Sequence, residues 1–151
     1  MNADASAMVL RVRGVEPGDA EAVSTLLEAL GYPCTVVEAQ ARIAHFREEP
    51  RQFLMLAERD GAPAGLVAMK LNYSLTRGAD VARLTALVVA EDAHGQGIGR
   101  RLLREMETLA RRNGAVRLEV TSNPSRTGAH AFYHACGYSD GSRHFVKLLG
   151  D

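Results

Sequence analysis

Residues 94–103 of this chain are HGQGIGRRLL, a run in which three alternating glycines precede an apolar helical face. The segment before it, Ala82–Val89, is apolar and is predicted to form a strand. Glycines let a backbone turn sharply and approach a ligand closely, and the first turn of a helix presents unpaired N–H groups. The stretch therefore predicts a strand, a glycine loop and a helix N-terminus that together suit a phosphate group.

Other phosphate-binding loops fit this stretch less well. A Walker A loop requires Lys and then Ser or Thr after its last glycine, whereas Gly99 is followed by Arg100 and Arg101. The dinucleotide fingerprint is GxGxxG, whereas residues 95–99 have the spacing GxGxG and lie in the middle of the chain. A turn without a ligand is also disfavoured, because three glycines in five residues destabilise a mere connection.

Outward from this loop, apolar periodicity and turn residues predict the order β α α β β β α β α β. Asp60-Gly61 predicts a hairpin turn and residues 72–80 a polar loop. The chain is therefore predicted to be a single α/β domain over residues 1–151, on a mixed sheet with one parallel crossover. The elements are a strand Val9–Val12, a helix from Asp19 to Gly31, a helix Val36–Glu48, strands Phe53–Glu58, Gly65–Leu71 and Ala82–Val89, a helix ending at Asn113-Gly114, a strand Val116–Thr121, a helix Thr127–Ala135 and a strand Phe145–Leu149.

Composition narrows the class of protein. The 151 residues are 46% hydrophobic and 24% charged, as is typical of one globular domain. The 18 basic and 18 acidic residues balance, which gives no support to a nucleic-acid partner.

No apolar run approaches the roughly 20 residues of a membrane span, and no signal-peptide pattern is found, so we expect a cytoplasmic protein without a membrane partner. Cys34 and Cys136 form no CxxC pair and are predicted to be reduced thiols.

Two segments together resemble one known family, the GNAT superfamily of N-acetyltransferases. The glycine loop is similar to that family's acyl-CoA loop, Arg/Gln-x-x-Gly-x-Gly/Ala after a valine-rich strand end, here Leu87-Val88-Val89. Downstream, Asn123, Ala131-Phe132-Tyr133 and Cys136-Gly137-Tyr138 resemble the family's Asn…Ala-x-x-Phe-Tyr…Gly-Phe stretch. His94 departs from the pattern, because the family usually has Arg or Gln at that position.

The resemblance implies a GNAT-like mixed, mostly antiparallel sheet with helices on both faces and a splayed central strand pair. It also implies acetyl-CoA as cosubstrate, with pantetheine beside the backbone of the strand end and pyrophosphate on the loop amides. No metal is expected, because His130 and His134 have metal-ligand spacing but no third ligand. The residues that the resemblance assigns to acetyl-CoA are Leu87, Val88, Val89, His94, Gly95, Gln96, Gly97, Ile98, Gly99, Arg100, Asn123, Arg126 and Tyr133.

The catalytic residues are assigned in the same way. Tyr133 matches the family's tyrosine beside the CoA sulfur, and a phenol with a pKa of about 10 can protonate a departing thiolate. The backbone amide of Val89 matches the family's usual oxyanion donor. Many relatives carry a Glu at the position of Thr85, which is no base at neutral pH. The base is therefore predicted to be Glu119 on the adjacent strand, or else a water chain.

Three functions stay open at this point. The first is direct transfer of acetyl from acetyl-CoA to a primary amine of a small molecule or peptide. The second is an aminoglycoside or polyamine acetyltransferase, although segments 32–40 and 72–80 supply only Glu38 and Asp80 for a cationic acceptor. The third is a non-catalytic acyl-CoA-binding sensor, which Thr85 favours and Tyr133 opposes. A homodimer is expected by analogy with the family.

Overall fold

The computed structural model describes residues 8–121, 127–141 and 144–150. The chain divides into two compact units, residues 1–119 and 120–151. Short 3₁₀ turns at Pro17–Asp19 and Glu91–Ala93 precede the first and third helices. The strands are β1 (Leu10–Gly14), β2 (Gln52–Arg59), β3 (Ala62–Ser74), β4 (Ala79–Val89) and β5 (Leu118–Val120), and the helices are α1 (Ala20–Leu30), α2 (Val36–Glu48), α3 (Ile98–Arg112) and α4 (Thr127–Ala135).

The first unit is built on a mixed sheet with the spatial order β1-β2-β3-β4-β5. The first three pairings are antiparallel, and β4 and β5, which α3 connects, form the one parallel pair. Near the start of β4, the amide of Ala82 donates to the carbonyl of Arg117 (2.9 Å) and the amide of Val116 donates to that of Asp80 (2.9 Å). The predicted mixed, mostly antiparallel α/β fold is confirmed.

Helices cover both faces of this sheet, as neighbouring residues of β3 demonstrate. Leu66 packs in a buried cluster with Val23 and Leu26 of α1 and Ile43 of α2. The Cβ position of Gly65 instead points at α3. Because successive side chains of a strand point to opposite faces, α1 and α2 lie on one face of the sheet and α3 on the other.

Local sequence signals explain where the first two helices begin and end. Asp19 precedes α1, and Gly31 ends it in a left-handed conformation with φ of 104°. Thr35 and Glu38 form a capping box at the start of α2, in which the amide of Glu38 donates to the Thr35 hydroxyl and the amide of Thr35 donates to the Glu38 carboxylate. The bounds predicted for α2 are therefore confirmed.

Two predicted segments differ from the structure. The polar loop expected over residues 72–80 is mostly strand, since Asn72 pairs with Val81 and Ser74 with Ala79, which leaves a four-residue connection. The strand expected at Phe145–Leu149 is absent, because residues 144–150 have no regular secondary structure. Apolar alternation alone does not form a strand without a neighbour to satisfy its backbone hydrogen bonds. The large apolar side chains of this segment are 71–90% exposed.

The second unit contains α4, whose bounds agree with the predicted helix Thr127–Ala135. Tyr138 N donates to the carbonyl of Tyr133 (2.9 Å), and Gly137 takes φ of 93°, so the helix ends where the glycine was expected to stop it. The ring of Tyr133 makes edge-on contacts with the rings of Phe132 (centroids 5.2 Å apart) and Tyr138 (5.8 Å). These contacts orient the phenol ring within this unit.

Candidate active site

The end of β4 is shaped by a β-bulge. Ala86 pairs with Ala68 and Leu84 with Met69, so Thr85 is an extra residue without a partner opposite it on β3. A bulge bends its strand and re-aims the residues that follow. The bulged residue, Thr85, is at the position where the family resemblance indicates that many relatives carry a catalytic Glu. The three site residues beyond it, Leu87, Val88 and Val89, continue the pairing with β3 up to the end of the strand.

The glycine loop, residues 94–97, passes directly into the first turn of α3. Gly95 and Gly97 both take left-handed conformations, with φ of 78° and 80°. Gly97 is the N-cap residue of α3, and no side chain caps the helix there. The amides of Ile98, Gly99 and Arg100, in the first turn, are therefore left for another acceptor.

The space and charge around this helix N-terminus suit an anion. A Cβ atom added to Gly95 or Gly97 would meet no atom of the described residues within 4 Å, so this part of the loop leaves room for a ligand. No acidic residue lies in the first turn of α3. Arg101 pairs with Glu105 (3.1 Å), whereas Arg100 makes no ion pair with any residue that the structure describes. The positive end of the α3 dipole therefore favours an anion here, and a role for Arg100 stays a prediction.

Three sets of contacts hold the loop against the sheet. The amide of Ala90 donates to the carbonyl of Ala64 (2.8 Å). His94 Nε2 lies 3.0 Å from the carbonyl oxygen of Val89, and because a carbonyl only accepts, Nε2 must carry the proton. Arg59, at the end of β2, contacts both the 3₁₀ turn and the loop. The His94 side chain thus binds the strand end, and the sequence had provided no signal for Arg59.

The predicted base, Glu119, lies on β5 and forms an ion pair with Arg117 at 3.1 Å. Its side chain is 38% exposed. Arg117 directly precedes β5 and Glu119 lies within it, so the two side chains are near neighbours along the chain. The pair is compatible with a structural role, and a base role for Glu119 stays a prediction.

The other predicted site residues belong to the second unit or lie outside the described residues. Tyr133 lies on α4, within the second unit. Asn123 and Arg126 lie outside the described residues. The His134 ring contacts Asp140 (3.2 Å), and the described parts of the chain contain no group of three or more metal-ligating side chains. No helix among the described residues is long and apolar enough to cross a membrane.

The strand end, the glycine loop and the N-terminus of α3 lie within the part of the chain that a family model matches. The model of the acetyltransferase (GNAT) family matches residues 21–138, which is most of the chain and includes the whole site. The chain belongs to the GNAT family. The resemblance inferred from the loop and from the Ala131-Phe132-Tyr133 segment is thereby confirmed.

Individual relatives agree with this assignment to the GNAT family. The chain is 33% identical over 101 residues to the aminoalkylphosphonate N-acetyltransferase of Salmonella typhimurium, over 67% of this chain and 66% of that protein. The match thus spans just under two thirds of that relative. A putative acetyltransferase from Agrobacterium tumefaciens has the same fold, with a TM-score of 0.83 and 24% identity, over 92% of this chain and 99% of that one. An aminoglycoside N-acetyltransferase in complex with CoA has a TM-score of 0.84 and 14% identity, over 94% and 95% of the two chains.

Proposed function

We propose that this chain transfers the acetyl group of acetyl-CoA to the primary amine of a small molecule by direct attack of the amine. The observation that carries the proposal is the N-terminus of α3, where Gly97 provides no side-chain cap. Two glycines there take conformations that L side chains rarely adopt. Membership of the GNAT family, a family of acetyltransferases, supports the same reading of the site.

In this proposal the first-turn amides and Arg100 bind the CoA pyrophosphate. The helix N-terminus favours negative charge, and its backbone amides are fixed in direction before the anion binds. The pantetheine arm lies along the backbone of Leu87 and Val89. Asn123 and Arg126 are proposed to bind the pantetheine arm and a CoA phosphate, as the family pattern suggests.

The proposed proton path uses one acid and one base. Tyr133 donates a proton to the departing thiolate, and the amide of Val89 stabilises the negative charge that develops on the thioester oxygen. Glu119, or a water that it holds, accepts the proton of the attacking amine. Glu119 lies on β5 and is paired with Arg117 at 3.1 Å.

The acceptor is proposed to be a small amine that carries an anionic group, with aminoalkylphosphonates as the first class to test. The relative from Salmonella typhimurium acts on that class by its name. The only carboxylates of segments 32–40 and 72–80 are already committed, Glu38 in the capping box of α2 and Asp80 to Arg51. A polycationic acceptor such as an aminoglycoside would find little uncommitted acidic charge there.

The test is thiol release from acetyl-CoA with 2-aminoethylphosphonate, ethanolamine and an aminoglycoside as acceptors. We expect turnover, with kcat/KM highest for the phosphonate. A sensor would bind acetyl-CoA and release no thiol with any amine, which would contradict the enzymatic proposal. A highest kcat/KM for the aminoglycoside would contradict the acceptor class alone.

The CoA site is tested separately with two matched variants. Gly97→Val and Gly114→Val place the same branched side chain at φ of 80° and 79°, at opposite ends of α3 and in open space. Both should lose similar stability, because the backbone strain is the same. Only Gly97→Val should lose acetyl-CoA binding in calorimetry. Equal affinities for the two variants would contradict the proposed site.

A further inference from the structure

The side chain of Arg59 spans the segment that leads into α3. Its guanidinium donates to the carbonyl oxygen of Asp92 (3.1 Å), to the Asp92 carboxylate (3.2 Å) and to the side-chain oxygen of Gln96 (3.1 Å). The Arg59 side chain is 23% exposed and the Asp92 side chain 79%, so this cluster lies at the surface of the protein. One residue of β2 thus holds both the 3₁₀ turn and the glycine loop, residues 94–97.

The backbone at Arg59 is held in place by the turn that follows it. It is the last residue of β2 and is followed by a tight turn in which Asp60 and Gly61 have φ of 52° and 84°. Asp60 is tied to β1, since its amide donates to the carbonyl of Val9 (2.8 Å) and its carboxylate accepts from the amide of Val9 (2.9 Å). Two positive φ values at consecutive residues suit the twist of a hairpin, which fixes the direction in which Arg59 leaves the sheet.

The strand pleat also separates Arg59 from the other ionic cluster of the sheet. Glu58 contacts Arg13, which also binds Asp19 beside α1. Successive side chains of a strand point to opposite faces, so Arg59 points to the α3 face. Arg59 therefore contacts the glycine loop, whereas Glu58 contacts the ion pair that joins β1 to the turn before α1.

The glycine loop needs such a contact because its backbone is intrinsically free. Gly95 and Gly97 both have φ values accessible mainly to glycine, and glycine loses more conformational freedom on ordering than any other residue. Gln96 lies between these two glycines, so its side chain is the one through which hydrogen bonds can join this part of the loop to the sheet. The hydrogen bond from Arg59 to Gln96 is such a contact.

We propose that Arg59 is a positioning residue that holds the glycine loop in its acetyl-CoA-binding conformation before the ligand arrives. The inference rests on the proposed function of the loop as the acetyl-CoA site. Arg59 acts through Asp92 and Gln96, which accept its hydrogen bonds, and not by binding a phosphate. A loop ordered in advance lowers the conformational cost of binding, so Arg59 contributes to affinity for acetyl-CoA and not to the chemical step.

The experiment compares Arg59→Met with Arg47→Met. Arg47 is a matched control, because it also binds one backbone carbonyl, that of Val15 (3.1 Å), and one carboxylate, that of Glu16 (3.0 Å). Loss of two or three net hydrogen bonds predicts a KM for acetyl-CoA and a Kd for CoA raised about tenfold in Arg59→Met, with kcat at saturation little changed. Amide hydrogen exchange of the ligand-free protein should become faster at the glycine loop in Arg59→Met only.

Two further variants distinguish positioning from a direct charge effect. Arg59→Lys keeps the charge but loses the planar fork, so it should recover only part of the affinity. Gln96→Leu combined with Arg59→Met should be little worse than Arg59→Met alone, since Arg59→Met already removes the Arg59–Gln96 bond that Gln96→Leu would remove. Full recovery by lysine would overturn the proposal in favour of a direct phosphate contact.

The result separates the two proposals. If neither the wild type nor Arg47→Met binds CoA, the proposed function fails, and the exchange measurement still tests whether Arg59 orders the loop. If the wild type binds CoA and Arg59→Met binds it equally well with unchanged loop exchange, the positioning role is overturned and the CoA site stands.

Discussion

Gly65 provides the sharpest test of how the fold positions the site. It lies on β3 opposite Val89, at the point where α3 crosses the sheet. A Cβ atom there would lie 2.8 Å from Leu102 Cδ1, 3.1 Å from Ile98 Cγ2 and 3.2 Å from the carbonyl oxygen of Val88. All three are closer than ordinary van der Waals contact, so Gly65→Ala forces the Leu102 side chain to shift and strains the packing of α3 against the end of β4.

The size of the effect follows from the burial of these neighbours. Leu102 is 0% exposed and Ile98 1%, so neither can turn out of the core to make room. Overpacking of a filled core costs about 1–3 kcal/mol, and the reduced freedom of the unfolded chain returns about 0.4–1 kcal/mol. We expect a net loss of about 1–2 kcal/mol, which for a domain of this size lowers Tm by roughly 2–8 °C.

The assay is thermal unfolding of Gly65→Ala, with calorimetric titration of acetyl-CoA on the folded variant. Ile98 is the first residue of α3, so the displacement that accommodates the methyl group also moves the loop amides and should weaken binding. Gly14→Ala is the control, because a Cβ atom at Gly14 meets nothing within 4 Å. Equal Tm values for the two variants would refute the reasoning, since the packing of α3 on Gly65 would then carry no cost.

Two further predictions concern charge. The hydrogen bonds from Arg13 lower the pKa of Asp19, whose side chain is 14% exposed, so the pair contributes stability at neutral pH that is lost as the pH falls below about 4. Asp19→Asn should therefore cost about 1.5–3 kcal/mol at pH 7 in urea unfolding and little at pH 2, and an equal loss at both values would contradict the ionic origin. In pH–rate profiles, Tyr133→Phe should lower turnover by about 10²–10⁴-fold and remove the high-pH limb, and Glu119→Gln should remove the low-pH limb. Full turnover in Tyr133→Phe with a chemically limited substrate would show that another group is the acid.

Local patterns were enough to predict most elements of the fold. The bounds of α2 and α4, the ends of α1 and the Asp60-Gly61 turn follow from short-range signals, namely caps, apolar spacing and glycines that accept positive φ. The strand-loop-helix unit around residues 94–103 was visible for the same reason, because its chemistry lies in consecutive backbone amides. These features depend on neighbours a few residues apart, so a single sequence contains them.

Strand ends and ion pairs were harder to predict from the sequence, because they depend on partners far along the chain. The cross-strand pairing of Asn72 with Val81 turned a predicted loop into strand, and residues 144–150 stayed irregular without such a pairing. The partner of Glu119, Arg117, became known only from the structure. Each outcome depended on the backbone group or charged side chain that lies next to the segment in the folded protein. The intrinsic propensities of the residues do not contain that information.

The amino-acid sequence by itself indicated the family, because residues 94–103 and 131–138 resemble its two motifs. It also fixed the place of the glycine loop, because glycines before a helix suit the binding of an anion by backbone amides. Only the tertiary structure decided what holds that loop. The bond from Arg59 to Gln96 joins residues 37 positions apart, and the close approach of α3 to Gly65 depends on a helix that begins more than thirty residues later. Such contacts arise from the packing of the sheet against α3, and no local pattern of sequence specifies them.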